Sequence, residues 1–579
     1  MISKSENDWT IKQCEKLGDL SDKEKWKLIG RLTNESKSSE IQPICSTDER
    51  GNKSYMFEDE EILGIMENRH IRKSRIGPSS AKFKDAVSRR MEAALTNLDD
   101  APPLMKKLFS SDEVKATFGR NKGAPGPDLT SADMIDRADR EAMVACLGKL
   151  WNRAWVQGKF AIDWKLEHRA IFPKGPDVDL HQASSYRSVS LTSIIGKRFE
   201  AMSSKRLVAA LESQGFDQNQ FAYLQNRSAT HSILILVEQL KRAVIQGFEA
   251  GAVFFDFSDA FGSVDRDKLL YKLAHHFNIR GKLFMHLHDF LSNRFARIKV
   301  GDINGDWKSS DLGTSAGTIL GSILFIIYVH DSPEEINPKF ADDLSTLVVS
   351  TLATSESRRD EIERILQARI DKLVRWAEVW GLELNLPKTV SMFFTRGTSQ
   401  ALHLTIQNTV VKQVEQKKYL GFMVDPQLTF SLHVDYAVSK TKKALAKVSL
   451  LIKGRFGLPV HIGIELYKLL ISTHMEYTAP VWASLKEADL SKLERCQSDS
   501  LRKVSGAKKC SSIKALEVIL GILPFRLRIH ELCIREYGRL MAKDDRHFLK
   551  RLLNTAVRVG QDFSPMAYIN LKSRPLQKA

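Results

Sequence analysis

The acidic pair Asp342-Asp343, in Phe340-Ala341-Asp342-Asp343, lies between an apolar stretch, Ile323–Val329, and a β-branched run, Leu344–Thr351. Both flanks read as strand-like, so the pair belongs to a short turn. Adjacent carboxylates repel, and each resists ionising unless a cation or donor compensates. In enzymes that move phosphoryl groups the usual compensation is a pair of divalent metal ions. An Asp-Asp pair alone is more often a solvated turn, but a third acid changes the weighing. Asp256 ends Gly251–Phe257, a continuous apolar run that reads as a fully buried strand. If the two strands are neighbours in one sheet, three carboxylates meet. Two Mg²⁺ or Mn²⁺ ions about 4 Å apart could then activate an attacking 3′-hydroxyl and stabilise a departing pyrophosphate. By itself Asp256 reads equally well as a helix cap or turn acid.

The elements that must position these acids are partly legible. Arg140–Val156 reads as a helix, followed by a strand at Arg169–Phe172 that stops at Pro173-Lys174-Gly175. A turn at Ser185-Tyr186-Arg187 leads to a helix over Ser190–Glu200. Arg266–His275 is helical, and Glu361–Trp380 is amphipathic, with Ile362, Ile365, Leu366, Ile370, Leu373, Ala377 and Trp380 on one stripe and Gly381 as C-cap. Ala124-Pro125-Gly126-Pro127-Asp128 is a rigid turn. Residues 1–100 are polar and charge-dense, with a capping box at Ser21-x-x-Glu24, and read as a small helical region and tether. Beyond Ser431 the apolar spacing is predominantly helical.

The 579 residues carry a formal net charge of +17, and 27 Lys+Arg against 13 Asp+Glu fall from Ser431 onward, which places most of the excess in the last quarter. So concentrated an excess reads better as a surface for a polyanion, nucleic acid above all, than as solvated helix faces. The six cysteines form no Cys-x-x-Cys pair, which favours a reducing, intracellular setting, nuclear or cytoplasmic, and argues against a zinc knuckle. The longest apolar stretch, roughly Thr318–Val329, is too short to span a bilayer, so no membrane is expected as a partner.

From about Gly123 to about Phe525 an ordered series of motifs resembles the reverse transcriptases of non-LTR (LINE-type) retrotransposons, in the jockey-like group. The series is GAPGPD, FPKG…SYRSVSLTSIIGKRFE, QFAYLQNRSATHSIL, FFDFSDAFGSVDRDKLL, GTSAGTILGSILFIIYVHD, FADD, WAEVWGLELNLPKTVSMFF, KYLGF and MEYTAPVW. The resemblance implies an α+β, right-hand polymerase: fingers from about 101 to 250, a reverse transcriptase region over 155–424 with an antiparallel-sheet palm core at 251–424, and a basic, all-α thumb over 430–579. It implies RNA-directed DNA synthesis from deoxynucleoside triphosphates on an RNA template and DNA primer. Asp256 and Asp342 would bridge the metals and Asp343 would complete the triad. Phe261 would be a steric gate against a ribose 2′-hydroxyl, although a plain core Phe is the competing reading. Lys174 and Arg187 would reach the triphosphate. Lys388 matches a position proposed to protonate pyrophosphate, or is an ordinary solvated lysine. Tyr419-Leu420-Gly421 matches the hairpin that grips the primer end, or is merely a turn.

The chain also departs from the family. Pro-Gln-Gly-Ser is replaced by Ser315-Ala316-Gly317-Thr318, which keeps Gly317 for close approach to a base but loses an amide side chain. Ala-Phe-Asp reads Ala260-Phe261-Gly262, His330 stands where Asn is typical, and Tyr328–Phe340 is a few residues short. These changes bear on activity more than on fold, and keep open a repurposed RNA- or hybrid-binding protein. A metal-dependent nuclease is disfavoured, since no further acidic cluster is evident. Residues 1–100 resemble the stretch between endonuclease and polymerase, so target-primed insertion would need a nick made by a separate endonuclease.

Overall fold

The computed structural model describes residues 44–47, 53–56, 59–71, 85, 87–89, 91–93, 102–119, 123–175, 178–300, 303–398, 401–452, 459–543, 548–554, 558–559, 562–566 and 568–569. The Ser21 capping box lies outside them. Among these residues the fold is mixed α/β, with two open five-stranded sheets.

The first described elements are an antiparallel hairpin, β1 (Ile44–Thr47) and β2 (Lys53–Met56), and helix α1 (Asp59–His70). A helical tether was the expectation for this segment, yet it contains a hairpin and is packed down. Ile44, Ile62, Met66 and Ile71 share a core with Tyr186, Ala296, Ile298 and Val300. Strands β3 (Leu166–Pro173) and β4 (Tyr186–Leu191) pair antiparallel, and helices α2 (Ile194–Ser213) and α3 (Ala229–Ile245) follow. Strand β5 (Glu249–Phe255) starts the second sheet. After α4 (Arg266–His275), β6 (Phe295–Val300) returns to lie parallel to β3, flanked by β7 (Ile303–Asn304) and β8 (Lys308–Ser309).

Next come α5 (Ile319–Tyr328), β9 (Lys339–Phe340), β10 (Asp343–Ser350), α6 (Ser355–Trp380) and β11 (Val390–Phe394). A small hairpin, β12 (Thr405–Ile406) and β13 (Thr409–Val410), precedes β14 (Lys412–Gln413), and then β15 (Lys417–Tyr419) and β16 (Phe422–Val424) form a second hairpin. The remainder is helical, led by α7 (Ser431–Ile452), α8 (Glu487–Ser505) and α9 (Phe525–Met541), apart from the short hairpin β17 (Arg558–Val559) and β18 (Asp562–Phe563). That hairpin qualifies the all-helical expectation.

Two further expectations are corrected. The apolar stretch at Ile323–Val329 is helix α5, not a strand, and the strand before the acidic turn is the two-residue β9. Buried on nearly every side, α5 shows no amphipathic period that could separate helix from strand. Thr318 caps it, its hydroxyl accepting from the Gly321 amide at 3.1 Å. Ser185–Arg187 is likewise no simple turn: Tyr186 and Arg187 already belong to β4, and the helix begins only at Ile194.

The second sheet has the order β14-β11-β5-β10-β9, with β5 antiparallel to both neighbours and β14 parallel to β11. Every residue of β5 is buried. Val253 and Phe255 join a core with Ile362 and Leu366 of α6, whereas Ala250, Ala252 and Phe254 join one with α3 and the C-terminal helices. Gly251 makes the first packing possible, because a Cβ there would stand 2.4 Å from Ile362 Cγ2. The α6 stripe is buried at Ile362, Leu366, Ile370, Leu373, Ala377 and Trp380, and Gly381 closes the helix at φ +74° as expected. On the other side His231 Nε2 of α3 meets Glu536 Oε1 of α9 at 2.8 Å. Among the described residues no helix is long and apolar enough to cross a membrane.

Candidate active site

The register of the second sheet brings the acids together. Leu344 lies opposite Phe255, so one step further out Asp343 and Asp256 come to the same end of adjacent strands. Asp343 also pairs with Phe340 across the β9–β10 turn, leaving Ala341-Asp342 as its two-residue tip. Ala341 adopts φ +54° and is buried, a backbone state that needs outside support. Gln220 supplies it: its Oε1 accepts from the amides of Ala341 and Ala222, both at 3.0 Å. Backbone bonds from Phe221 to Lys339 and from Lys339 to Asn219 lay the QFAY segment along β9. The sequence quoted that motif without revealing its task.

Asp256 is held from the opposite side. Its carbonyl accepts from the Asn385 amide at 2.7 Å, and its amide donates to Thr389 Oγ1 at 3.3 Å. The Leu384–Thr389 motif is therefore a latch on the strand end that carries the acid. Lys388 Nζ reaches Asp256 Oδ2 at 3.8 Å with its side chain 58% exposed. The dry surroundings that proton donation asks of a lysine are absent at this position.

Asp342 is held above the ordinary carboxylate range, chiefly by burial, with Asp256 adding to the effect and a backbone hydrogen bond opposing it. Asp343 is pushed up to about 6 by burial first and then by Asp342 and Asp256, while Lys417 pulls it down. Lys417 is itself lowered by burial, although Asp256 and Asp343 pull it upward. Lys417 is a member of this charge cluster that sequence reading missed; its place at the start of the KYLGF hairpin was the available signal.

A cavity of about 590 Å³ opens in front of the acids. Asp256, Asp342, Lys174, Arg187, Phe261, Gly317 and Lys388 all line it, and Asp343 does not. Phe261 stacks on Phe325 at 4.2 Å between centroids, with Tyr223 edge-on at 6.4 Å. Gly317, at φ +107°, faces protein on the side where a side chain would grow: a Cβ would meet Ser190 O at 2.8 Å. Its smallness seats the segment on β4, where Ser190 N bonds Ala316 O at 2.7 Å. Behind this segment the buried Glu200 accepts from the Ile319 and Leu320 amides at 2.8 and 3.1 Å, filling the N-terminus of α5.

Arg266 fixes the cavity floor through bonds to the carbonyls of Gly313, Leu291 and Leu312 at 3.0, 2.8 and 3.1 Å. Three more charged cavity residues escaped the sequence reading: Arg69, Arg169 and Asp259. Asp259, at φ +50°, folds over Gly262, where a Cβ would lie 2.4 Å from its Oδ2. The unusual glycine after Phe261 thus makes room for a further acid. Lys174 is lowered by burial first, then by Lys388 and Arg69, against the pull of Asp259 and Asp256. The primer-grip candidate is a tight hairpin turn, with Leu420 at φ +47° and Gly421 at φ +85°. Tyr477 in MEYTAPVW braces it by donating to Leu420 O at 2.5 Å.

The match to known families covers the same ground. A family described as reverse transcriptase (RNA-dependent DNA polymerase) matches residues 173–424, a span that includes every acid and cation named above as lining the cavity except Arg69 and Arg169. Relatives include the "RNA-directed DNA polymerase from mobile element jockey" of Drosophila melanogaster, 25% identical over 78% of this chain and 50% of its own length, and the "Probable RNA-directed DNA polymerase from transposon X-element" of the same species, 24% identical over 74% and 47%. Residues 173–424 are thus similar to reverse transcriptases, and the relatives that match the wider chain are named as polymerases of mobile elements. A type-1 retrotransposable element R1 polyprotein of Bradysia coprophila is 23% identical over 74% of the chain and 42% of its own length. The chain thus spans about half the length of the curated relatives it matches.

Reverse transcriptases work with divalent ions. Among the described residues no three His, Cys, Asp or Glu side chains are preassembled around a metal position. The donor set nevertheless fits one. Asp256 and Asp342 offer hard carboxylate oxygens to a common cavity, as Mg²⁺ and Mn²⁺ require. The half-buried Asp342 and Asp343 also repel each other and Asp256, a charge excess that a cation relieves.

Proposed function

We propose that the chain is an RNA-directed DNA polymerase that extends a DNA 3′-hydroxyl with deoxynucleoside triphosphates on an RNA template. The observation that carries this reading is the cavity in which Asp256 and Asp342, at the ends of neighbouring buried strands, face Lys174 and Arg187. Acids on one wall and cations on the other suit a reaction in which a polyanion is attacked and splits. The β5/β10/β11 sheet with β9 is then the palm, the β3/β4/β6 sheet belongs to the fingers, and the helices from α7 onward are the thumb. Asp256 and Asp342, with Asp343 beside them, would hold Mg²⁺ or Mn²⁺, which would supply Lewis-acid stabilisation of the reacting oxygens.

The chain's own residues do the rest. Lys174 and Arg187 hold the triphosphate, and the Phe261 ring, fixed by Phe325, closes the space beneath the sugar's 2′ position. The Leu420-Gly421 turn supports the primer end, and Lys388 sits over Asp256 as an exposed countercharge. The basic C-terminal helices grip the duplex through phosphates, so affinity falls steeply with salt. Work of this kind belongs in the nucleus or cytoplasm, and insertion into a genome starts from a nicked DNA target.

A second reading, a hybrid-binding protein without turnover, draws on the Ser315–Thr318 substitution and on the absence of a preassembled carboxylate trio among the described residues. Primer extension on poly(rA)/oligo(dT) with Mg²⁺ or Mn²⁺ decides between them. Incorporation by the parent and none by Asp342→Ala is the expected result. A parent as inactive as Asp342→Ala, with both still binding the hybrid, establishes the second reading.

A further inference from the structure

Arg69 lies more than one hundred residues before the matched reverse transcriptase domain, yet it lines the same cavity as Lys174 and Arg187. Its helix is anchored at several points. Ile62 and Met66 of α1, with Ile71 just beyond it, pack against Tyr186, the residue before Arg187, and against Ala296, Ile298 and Val300 of β6. Glu67 forms an ion pair with Lys308 of β8, and Arg169 of β3 donates to the carbonyl of His70. The last turn of α1 is therefore tied to the sheet that carries the other cations, and Arg69 is aimed by that docking.

Arg69, Lys174 and Arg187 form no ion pair with a carboxylate among the described residues. Asp259 and Asp256 offset part of the charge at Lys174, but Lys388 and Arg69 still press against it. A ligand with several negative charges relieves the repulsion among the three cations. A guanidinium with its planar donors suits phosphate oxygens especially well. A basic residue in the last turn also complements the helix dipole, but that role gives no reason for the side chain to face the cavity.

We infer that Arg69 is a nucleotide-binding residue, supplied from outside the reverse transcriptase domain, that contacts the triphosphate of the incoming deoxynucleotide together with Lys174 and Arg187. This rests on the polymerase reading of the cavity. The test measures dTTP and poly(rA)/oligo(dT) separately. The dTTP Kd is determined on the enzyme–hybrid complex with Ca²⁺ replacing Mg²⁺, and the dTTP KM by extension with Mg²⁺. Arg69→Ala is expected to raise both by about tenfold, the worth of one charge-assisted hydrogen bond, and Arg69→Lys to recover part of the loss. The hybrid Kd, expected within twofold of the parent, doubles as the check on folding. Unchanged dTTP binding overturns the inference. So does weaker hybrid binding with dTTP binding intact, which assigns Arg69 to the template backbone. A parent that binds dTTP without extending the primer defeats the polymerase reading alone, and the Ca²⁺ measurement still decides for Arg69.

Discussion

The acidic wall of the cleft stands on strands with little access to water, whereas the cationic wall stands on strands with much of their surface in it. All of β5 and most of β10 are buried, while β3 and β4 are mainly half-buried, with Arg187 exposed. The difference is physical economy of two kinds. Carboxylates that must share a small volume against their own repulsion need a backbone that cannot yield, and a sheet packed on both faces provides it. On the proposed function, cations that follow a polyphosphate as it enters and leaves need reach more than rigidity, and exposed long side chains have it.

The contrast predicts different kinetic signatures for the two walls. Asp256→Asn or Asp342→Asn should lower kcat by about 10³-fold or more, because several kcal/mol of transition-state stabilisation goes with the metal ligand. The dTTP KM should move little. Lys174→Ala should instead lower kcat/KM by about 30-fold, the equivalent of about 2 kcal/mol for a charge-assisted hydrogen bond, mainly through KM. Single-turnover extension across a range of dTTP concentrations reads both. If both walls lose kcat alone, the division into a rigid reacting wall and a compliant binding wall is wrong.

The next effect concerns the floor between the walls. The Phe261 ring is locked against Phe325, so a ribose hydroxyl meets a surface that cannot retreat. Phe261→Val should reduce the preference for dTTP over UTP by about 10²-fold, the scale on which a pocket discriminates one hydroxyl. Unchanged sugar preference leaves Phe261 as a core residue and moves the gate elsewhere.

The same contrast explains what the sequence disclosed. Asp256 alone read equally well as a cap or turn acid, and Asp342-Asp343 alone as a solvated turn. They stood out only together, as acids at the ends of strand-like runs, and through the ordered motifs around them. The cations Lys174 and Arg187 carried no such signature and were singled out only through the motifs around them. The reading failed where tertiary packing overrode local pattern. Helix α5 passed for a strand because total burial erased its period, and β4, rich in serine, passed for a turn leading into a helix because its pairing with β3 is invisible locally. Arg69, Arg169 and Lys417 were missed for a related reason: Arg69 and Arg169 come to the cleft, and Lys417 to the side of Asp343, from elements away from the acids' own motifs. Gln220 shows its purpose only beside the Ala341 turn it pins.

The smallest predicted effect bears on the cost of the acidic wall. Burial and two neighbouring carboxylates raise Asp343 from an ordinary 3.8 to about 6. Between those values the folded chain holds a proton that the unfolded chain has released, so stability falls as pH rises through the interval and stays low above it. With water partly screening the site, the loss should be about 1–2 kcal/mol. Asp343→Asn removes the charge, so in EDTA the variant should be more stable than the parent by about that amount at pH 7 and little different near pH 4. Urea midpoints at the two pH values measure it. Millimolar Mg²⁺ should then raise both midpoints at pH 7, the parent's by more, because Asp342 and Asp256 still repel in the variant while the parent has a further charge to relieve. A variant less stable than the parent at pH 7 means that the carboxylate anchors the strand end, through Lys417, more than it strains it. In that case the acidic wall is held together by its own cation, and the contrast with the opposite wall is one of burial alone.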